Sequence, residues 1–181
     1  MKIPNTKIII ALIPLVFMTV SPGLAVETGD REMQIGGGFF MAQGDAATGT
    51  AQFEIAYNYW MTQNMQVGAR QLVSYGINDP VEDVWTGSTT GFANYYPWAH
   101  DPNRNWQPFI GTFLGLGYSD VDVTGTAGPA AGIRITVSDA AFVTAQYRYE
   151  VFFTELDAGG ETDDFDSGNH ILTMGVGFRW E

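Results

Sequence analysis

From Ala141 to Phe153 the chain alternates without a break between two kinds of side chain. Ala141, Val143, Ala145, Tyr147, Tyr149, Val151 and Phe153 fall at one parity; Phe142, Thr144, Gln146, Arg148, Glu150 and Phe152 fall at the other. Successive side chains of an extended strand point to opposite faces, so the segment predicts an apolar wall backed by a mainly polar one. Its thirteen residues run well past the roughly five or six of an ordinary strand. They are enough to cross a bilayer at a tilt, which takes roughly nine to eleven.

The rest of the chain reads as seven further copies of this pattern. Strands are predicted over Glu32–Gln43, Thr50–Trp60, Met65–Tyr75, Trp85–Tyr96, Gln107–Tyr118, Ala127–Val137 and Asn169–Trp180. The third is the least regular, because Gln71 interrupts its apolar face and Leu72 lies opposite. The fourth is rich in Gly and Thr, which leaves its facing open. Met61–Asn64 and Ser138–Ala140 are tight turns, and Pro97–Arg104 is a longer polar connection containing His100. The other four connections carry twelve of the twenty acids, six of them within Glu155–Asp166. An even number of strands joined by alternating short and longer connections predicts an all-β fold, an eight-stranded antiparallel up-and-down transmembrane β-barrel.

Composition narrows the possibilities further. Met1–Ala25 has a positive start at Lys2 and Lys7, an apolar run over Ile8–Val20 and small residues at Gly23–Ala25. That order predicts a signal peptide at 1–25 and a single barrel domain over 26–181. The apolar run is shorter than the roughly twenty residues of a membrane helix. Residues 26–181 contain no cysteine and no lysine, and set six arginines against twenty acids, 6 − 20 = −14. Disulfides and thiolate metal sites are therefore excluded, and so much acid argues against nucleic acid as a partner.

Alternation alone leaves open which face looks outward. Volume decides it: an eight-stranded barrel has an interior just wide enough for side chains to fill. The apolar face offers far more aromatic and branched residues than such a bore holds, while the other face is rich in glycine with Gln, Thr, Arg and Glu. The apolar face is therefore expected to meet lipid. Aromatics at the strand ends fit two interfacial girdles, Trp60, Trp98, Trp106 and Trp180 at the periplasmic side and Tyr75, Trp85, Tyr118 and Phe153 at the outer side.

The run AGPAAGIRITVSDAAFVTAQYRYEVF, preceded by NWQPFIGTFLGLGY and followed by HILTMGVGFRW, resembles the outer-membrane β-barrel family that includes the OmpA transmembrane domain and the OmpX/Ail proteins. The resemblance implies a bacterial outer-membrane location, contact with outer-membrane lipid and lipopolysaccharide, and insertion by the barrel-assembly machinery. That machinery reads a terminal aromatic in this family; here Trp180 is followed by Glu181.

By parity the lumen-facing charges are Glu32, Glu54, Arg70, Arg134, Arg148, Glu150 and Arg179. A turn centred on Thr62 sets Glu54 opposite Arg70, and closure of the first strand on the eighth brings Glu32 and Arg179 to the same end. Buried charges left unpaired cost several kcal/mol each, so a lumen plugged by ion pairs is expected. The function expected is a structural or surface-contact role with neither catalysis nor a cofactor. The alternatives are a narrow ion or small-solute channel and a lipid A-modifying enzyme. For the enzyme, Ser167 and His170 supply candidate groups, but no outward-facing acid is available to orient the imidazole. His100 stands alone, so no histidine metal cluster is expected. The acidic stretch Glu155–Asp166 offers oxygen ligands for a divalent cation but lacks an EF-hand order, and reads first as a solvated loop.

Overall fold

In a computed structural model, the structure describes residues 26–42, 48–78, 84–99, 101, 104–119, 123–153 and 169–181. The expected signal peptide, His100, Ser167 and the acidic stretch Glu155–Asp166 lie outside the described residues. Eight strands are described: β1 (Arg31–Ala42), β2 (Thr48–Trp60), β3 (Met65–Asn78), β4 (Val84–Tyr95), β5 (Trp106–Ser119), β6 (Val123–Ser138), β7 (Ala141–Phe153) and β8 (Asn169–Trp180). Each pairs antiparallel with its neighbours in sequence, and β1 pairs with β8 to close the barrel. At the end where β1 begins, β2 joins β3 and β6 joins β7 by short turns. In the β2–β3 turn, the Thr62 hydroxyl accepts from the backbone N–H groups of Asn64 and Met65, at 3.3 and 3.0 Å.

The faces are inverted relative to a water-soluble barrel. On β5, Ile110 and Leu114 are 65% and 63% exposed while Phe109 and Phe113 are 4% and 3% exposed. On β7, Thr144, Gln146, Arg148 and Glu150 are buried in the bore while Tyr147 points out. Gln71, the irregularity in β3, faces outward and is satisfied there by the Tyr118 hydroxyl and by Thr89, whose Oγ1 donates to it at 2.6 Å. Leu72 is buried in the bore. β4 is also settled, with Ser88, Thr90, Phe92 and Asn94 inward and Trp85 and Tyr95 outward.

Four phenylalanine rings fit in the bore because each has a glycine facing it. Phe92, Phe109, Phe113 and Phe142 lie directly across the ladder from Gly68, Gly132, Gly128 and Gly177. Each ring occupies the space where a side chain on that glycine would stand. Cross-strand pairs of this kind fix register, since any slip drives a ring into a neighbouring side chain.

Strand limits differ from expectation mainly at β6, which starts at Val123, four residues before the expected Ala127. Thr124 and Thr126 blur the alternation there, but the backbone continues its ladder with β5 to Tyr118↔Val123. β3 likewise continues past Tyr75 to Asn78. A methyl group on Gly132 would stand 2.5 Å from both the Phe109 ring and the Ala145 carbonyl oxygen, whereas one on Gly91 would meet nothing closer than 3.9 Å. Gly132→Ala is therefore expected to lower unfolding stability in lipid vesicles by about 1–3 kcal/mol, the usual cost of overpacking. Gly91→Ala, read by the same urea titration, leaves it nearly unchanged.

The charged bore as candidate functional site

Ion pairs fill the bore at two levels. Nearer the periplasmic end, Glu32 on β1 is fully buried and takes both contacts of Arg134, which reaches from β6 across the bore with Nη1 at 2.7 Å from Oε1 and 2.9 Å from Oε2. Gln66 Nε2 on β3 donates to the same carboxylate at 2.8 Å. The Arg134 guanidinium lies 3.8 Å from the Phe142 ring centroid and 5.6 Å from that of Trp60, so its flat faces are covered by rings while its edge is bonded.

Below this pair an aromatic plug closes the end. The tilted rings of Trp60 and Tyr96 pack with centroids 4.8 Å apart and those of Tyr96 and Phe109 4.9 Å apart, with Val26 and Ala99 packed among them. Tyr96 follows β4, and its hydroxyl donates to Gln66 Oε1 at 3.2 Å. Burial raises its pKa well above the ordinary phenol value and so keeps that donor protonated.

In mid-bore, Glu54 is shared by two arginines. Its Oε1 lies 3.1 Å from Arg70 Nε and its Oε2 lies 2.7 Å from Arg148 Nη2, with the carboxylate fully buried. Arg70 also donates to Gln146 Oε1 at 3.0 Å and covers the Phe92 ring at 4.6 Å. Arg70 Nη1, Arg134 Nε, Arg148 Nε and Thr90 Oγ1 have no protein partner, and are groups that water in a polar bore satisfies. Glu150 sits toward the outer end, where Thr126 Oγ1 donates to it at 2.7 Å. It forms part of the wall of an outward-facing vestibule of about 460 Å³, lined also by Gln52, Ser74, Leu72, Phe152 and Ile171.

Six of the seven expected lumen charges, Glu32, Glu54, Arg70, Arg134, Arg148 and Glu150, are buried in the bore. Arg179 keeps the same inward parity at the end of β8. It lies at the periplasmic rim, 3.7 Å from Asp30 and donating to the Asp139 carbonyl at 2.8 Å. Glu32 and Arg179 are backbone partners across the closure, but Arg134 occupies the carboxylate from the opposite wall. Glu54 and Arg70 meet diagonally, because Glu54 pairs with Leu72 and Arg70 with Ala56. A two-residue shift preserves the face, which is why the expected pair survives a different turn centre.

Trp60 is the correction to the aromatic girdles. It is fully buried in the plug, on the bore face of β2 with Glu54, Ala56 and Asn58. Parity with Glu54 was the signal that placed it. Trp85, Trp98, Trp106, Trp180 and Tyr118 are exposed on the outside, with Tyr75 against Trp85 at 4.7 Å. Trp98 and Trp106 sandwich Arg104 at 4.7 and 4.9 Å. Gln66, Gln146, Tyr96 and Phe142 complete the bore and follow from the same parity, although no charge flags them.

Removing the shared carboxylate strands two buried cations against each other. Glu54→Gln is expected to cost about 3–5 kcal/mol of unfolding free energy, the usual penalty for a broken buried pair. Equilibrium unfolding in lipid vesicles measures it, and the added change Arg148→Gln is expected to restore part of the loss by removing the excess charge.

No family model and no curated protein matches the chain. Solved structures do. The N-terminal β-barrel domain of Pseudomonas aeruginosa OprF is similar at 16% identity, covering 86% of this chain and 100% of that one, with a TM-score of 0.52. Neisserial surface protein A is similar at 14% identity over 84% of this chain and 96% of that one, with a TM-score of 0.57. The outer membrane protein OprG of P. aeruginosa is similar at 10% identity over 88% and 99%, with a TM-score of 0.55. At such identities the likeness establishes the fold, and the chain is an eight-stranded antiparallel β-barrel of the outer-membrane type.

Proposed function

We propose that this chain is an integral protein of the bacterial outer membrane with a structural or surface-contact role, that it carries out no catalysis, and that its bore is closed to ions. The observation that carries this reading is the double obstruction of the bore. The Glu54–Arg70–Arg148 cluster fills its middle, and Glu32–Arg134 over the Trp60–Tyr96–Phe109 rings fills its periplasmic end. Ions need a continuous polar path, and the packed rings of the plug interrupt it.

Against a lipid-modifying activity, His170 contacts rings and no acid among the described residues. The Tyr147 hydroxyl is bonded to its Nδ1 at 2.5 Å and Tyr149 packs on it at 5.1 Å, while Glu150 faces the bore. The surroundings expected of such a protein are outer-membrane lipid, lipopolysaccharide whose phosphates share divalent cations with the acidic connections, and the barrel-assembly machinery acting on the strand that ends at Trp180. Planar-bilayer recording tests the closed bore. The native chain is expected to show no large, stable conductance, and a variant that thins both obstructions, Trp60→Ala, Arg134→Ala, Arg148→Ala, to admit measurable current. A steady large conductance from the native chain contradicts the proposal, and altered lipid A masses in cells lacking the chain contradict its non-catalytic part.

A further inference from the structure

Between mid-wall and the periplasmic rim, small side chains hollow the outer surface over β4, β5 and β6. Ala93, Thr112, Pro129 and Ala131 floor a groove of about 560 Å³, and Tyr95, Ile110 and Tyr147 stand exposed along its edges. Two positions on the floor could have carried a free donor, and neither does. Pro129 has no N–H, and the Thr112 hydroxyl donates to the Gly128 carbonyl at 3.1 Å. A groove of this character holds an alkyl chain better than any polar group.

A pair of charges stands at the foot of this groove. Trp106 opens β5 on the same outward parity as Ile110. The step between them spans roughly 13 Å along the strand, within half the roughly 30 Å thickness of a bilayer's hydrocarbon core. A lipid anchored beside Trp106 therefore reaches the groove with its chain. Trp106 and Trp98 hold the Arg104 guanidinium between their rings, and paired indoles of this kind mark the level of the head groups. Asp101 Oδ2 lies 3.7 Å from Arg104 Nε, and both side chains are partly exposed. A guanidinium with rings against both faces takes further partners at its edge. The rim thus presents a cation and an anion side by side, directly below an apolar groove.

We propose that this surface binds one phospholipid of the periplasmic leaflet with a primary ammonium head, its phosphate on Arg104, its ammonium on Asp101 and one acyl chain in the groove. Charge complementarity selects the head. A lone arginine favours any anionic lipid, but Asp101 repels a head of net negative charge and offers an acceptor to an ammonium. A trimethylammonium has no N–H to donate, so a choline head loses that bond. The site rests on the membrane setting proposed above and is independent of whether the bore conducts.

Native mass spectrometry tests it. The chain is folded into vesicles of phosphatidylethanolamine, phosphatidylcholine and phosphatidylglycerol in equal parts with identical acyl chains, then released into mild detergent and weighed with the lipid it retains. The native chain is expected to keep a single phosphatidylethanolamine, at roughly tenfold the occupancy of either other lipid, the worth of one charge-assisted hydrogen bond. Arg104→Gln is expected to abolish the preference. Arg31→Gln, which removes an exposed charge at the same rim but on β1, is expected to keep it. Ala131→Phe fills the groove and is expected to lower phosphatidylethanolamine retention several-fold with the charges intact. Equal retention of the three lipids by the native chain, or the same loss from Arg31→Gln as from Arg104→Gln, overturns the site and leaves the membrane setting standing. A dimer that Ala131→Phe breaks places a second copy in the groove and also overturns it. A chain that does not insert into the vesicles at all overturns the setting itself.

Discussion

Hydrocarbon offers no partner to a peptide group, so a chain that crosses it as strands must bond every strand to two neighbours. Closure of β1 on β8 meets that demand, and the rest of the architecture follows from it. Once the sheet is a tube in lipid, the outward parity has to be apolar. Met33, Ile35, Phe53, Ile110, Leu114, Met174 and Phe178 stand exposed around the wall. The inward parity then has a narrow, partly polar space to fill, and whatever polar side chains enter it must satisfy one another.

The bore meets that second demand with few components. Among the described residues three acids and three arginines are buried in it, and each of these arginine planes rests on a ring: Arg134 on Phe142, Arg70 on Phe92, Arg148 over Phe113. The three rings in turn stand over Gly177, Gly68 and Gly128 on the adjoining strands. Glycine in these strands is thus a packing device: absence of a side chain at one position makes room for a ring, and the ring supports a charge. Burial of ion pairs in this way adds little net stability beside a packed apolar core, but it fixes which wall meets which.

Much of this was legible in the sequence because a period of two carries both secondary structure and facing. The limits of β7 and β8 coincide with those read from alternation, and the bore charges follow from parity; Arg179 keeps the inward parity but lies at the end of β8, where its partners are Asp30 and the Asp139 carbonyl. Partners across the bore were less legible. Glu32 lies beside Arg179 in the ladder but bonds Arg134 from β6, because in a tube this narrow a long side chain spans the diameter. Trp60 was misread for another reason. Tryptophan at a strand end suggested an interface, whereas its parity with Glu54 set it inside.

The account stands on the inversion of the two faces, and β7 tests it most directly. Nitroxide labels placed one at a time from Ala141 to Phe153, in the chain folded into lipid vesicles, report exposure to oxygen dissolved in the bilayer. The account predicts a period of two, with high collision rates at Val143, Ala145, Tyr147 and Tyr149 and low rates at Thr144, Gln146, Arg148 and Glu150. The opposite phase, or no alternation, would contradict it.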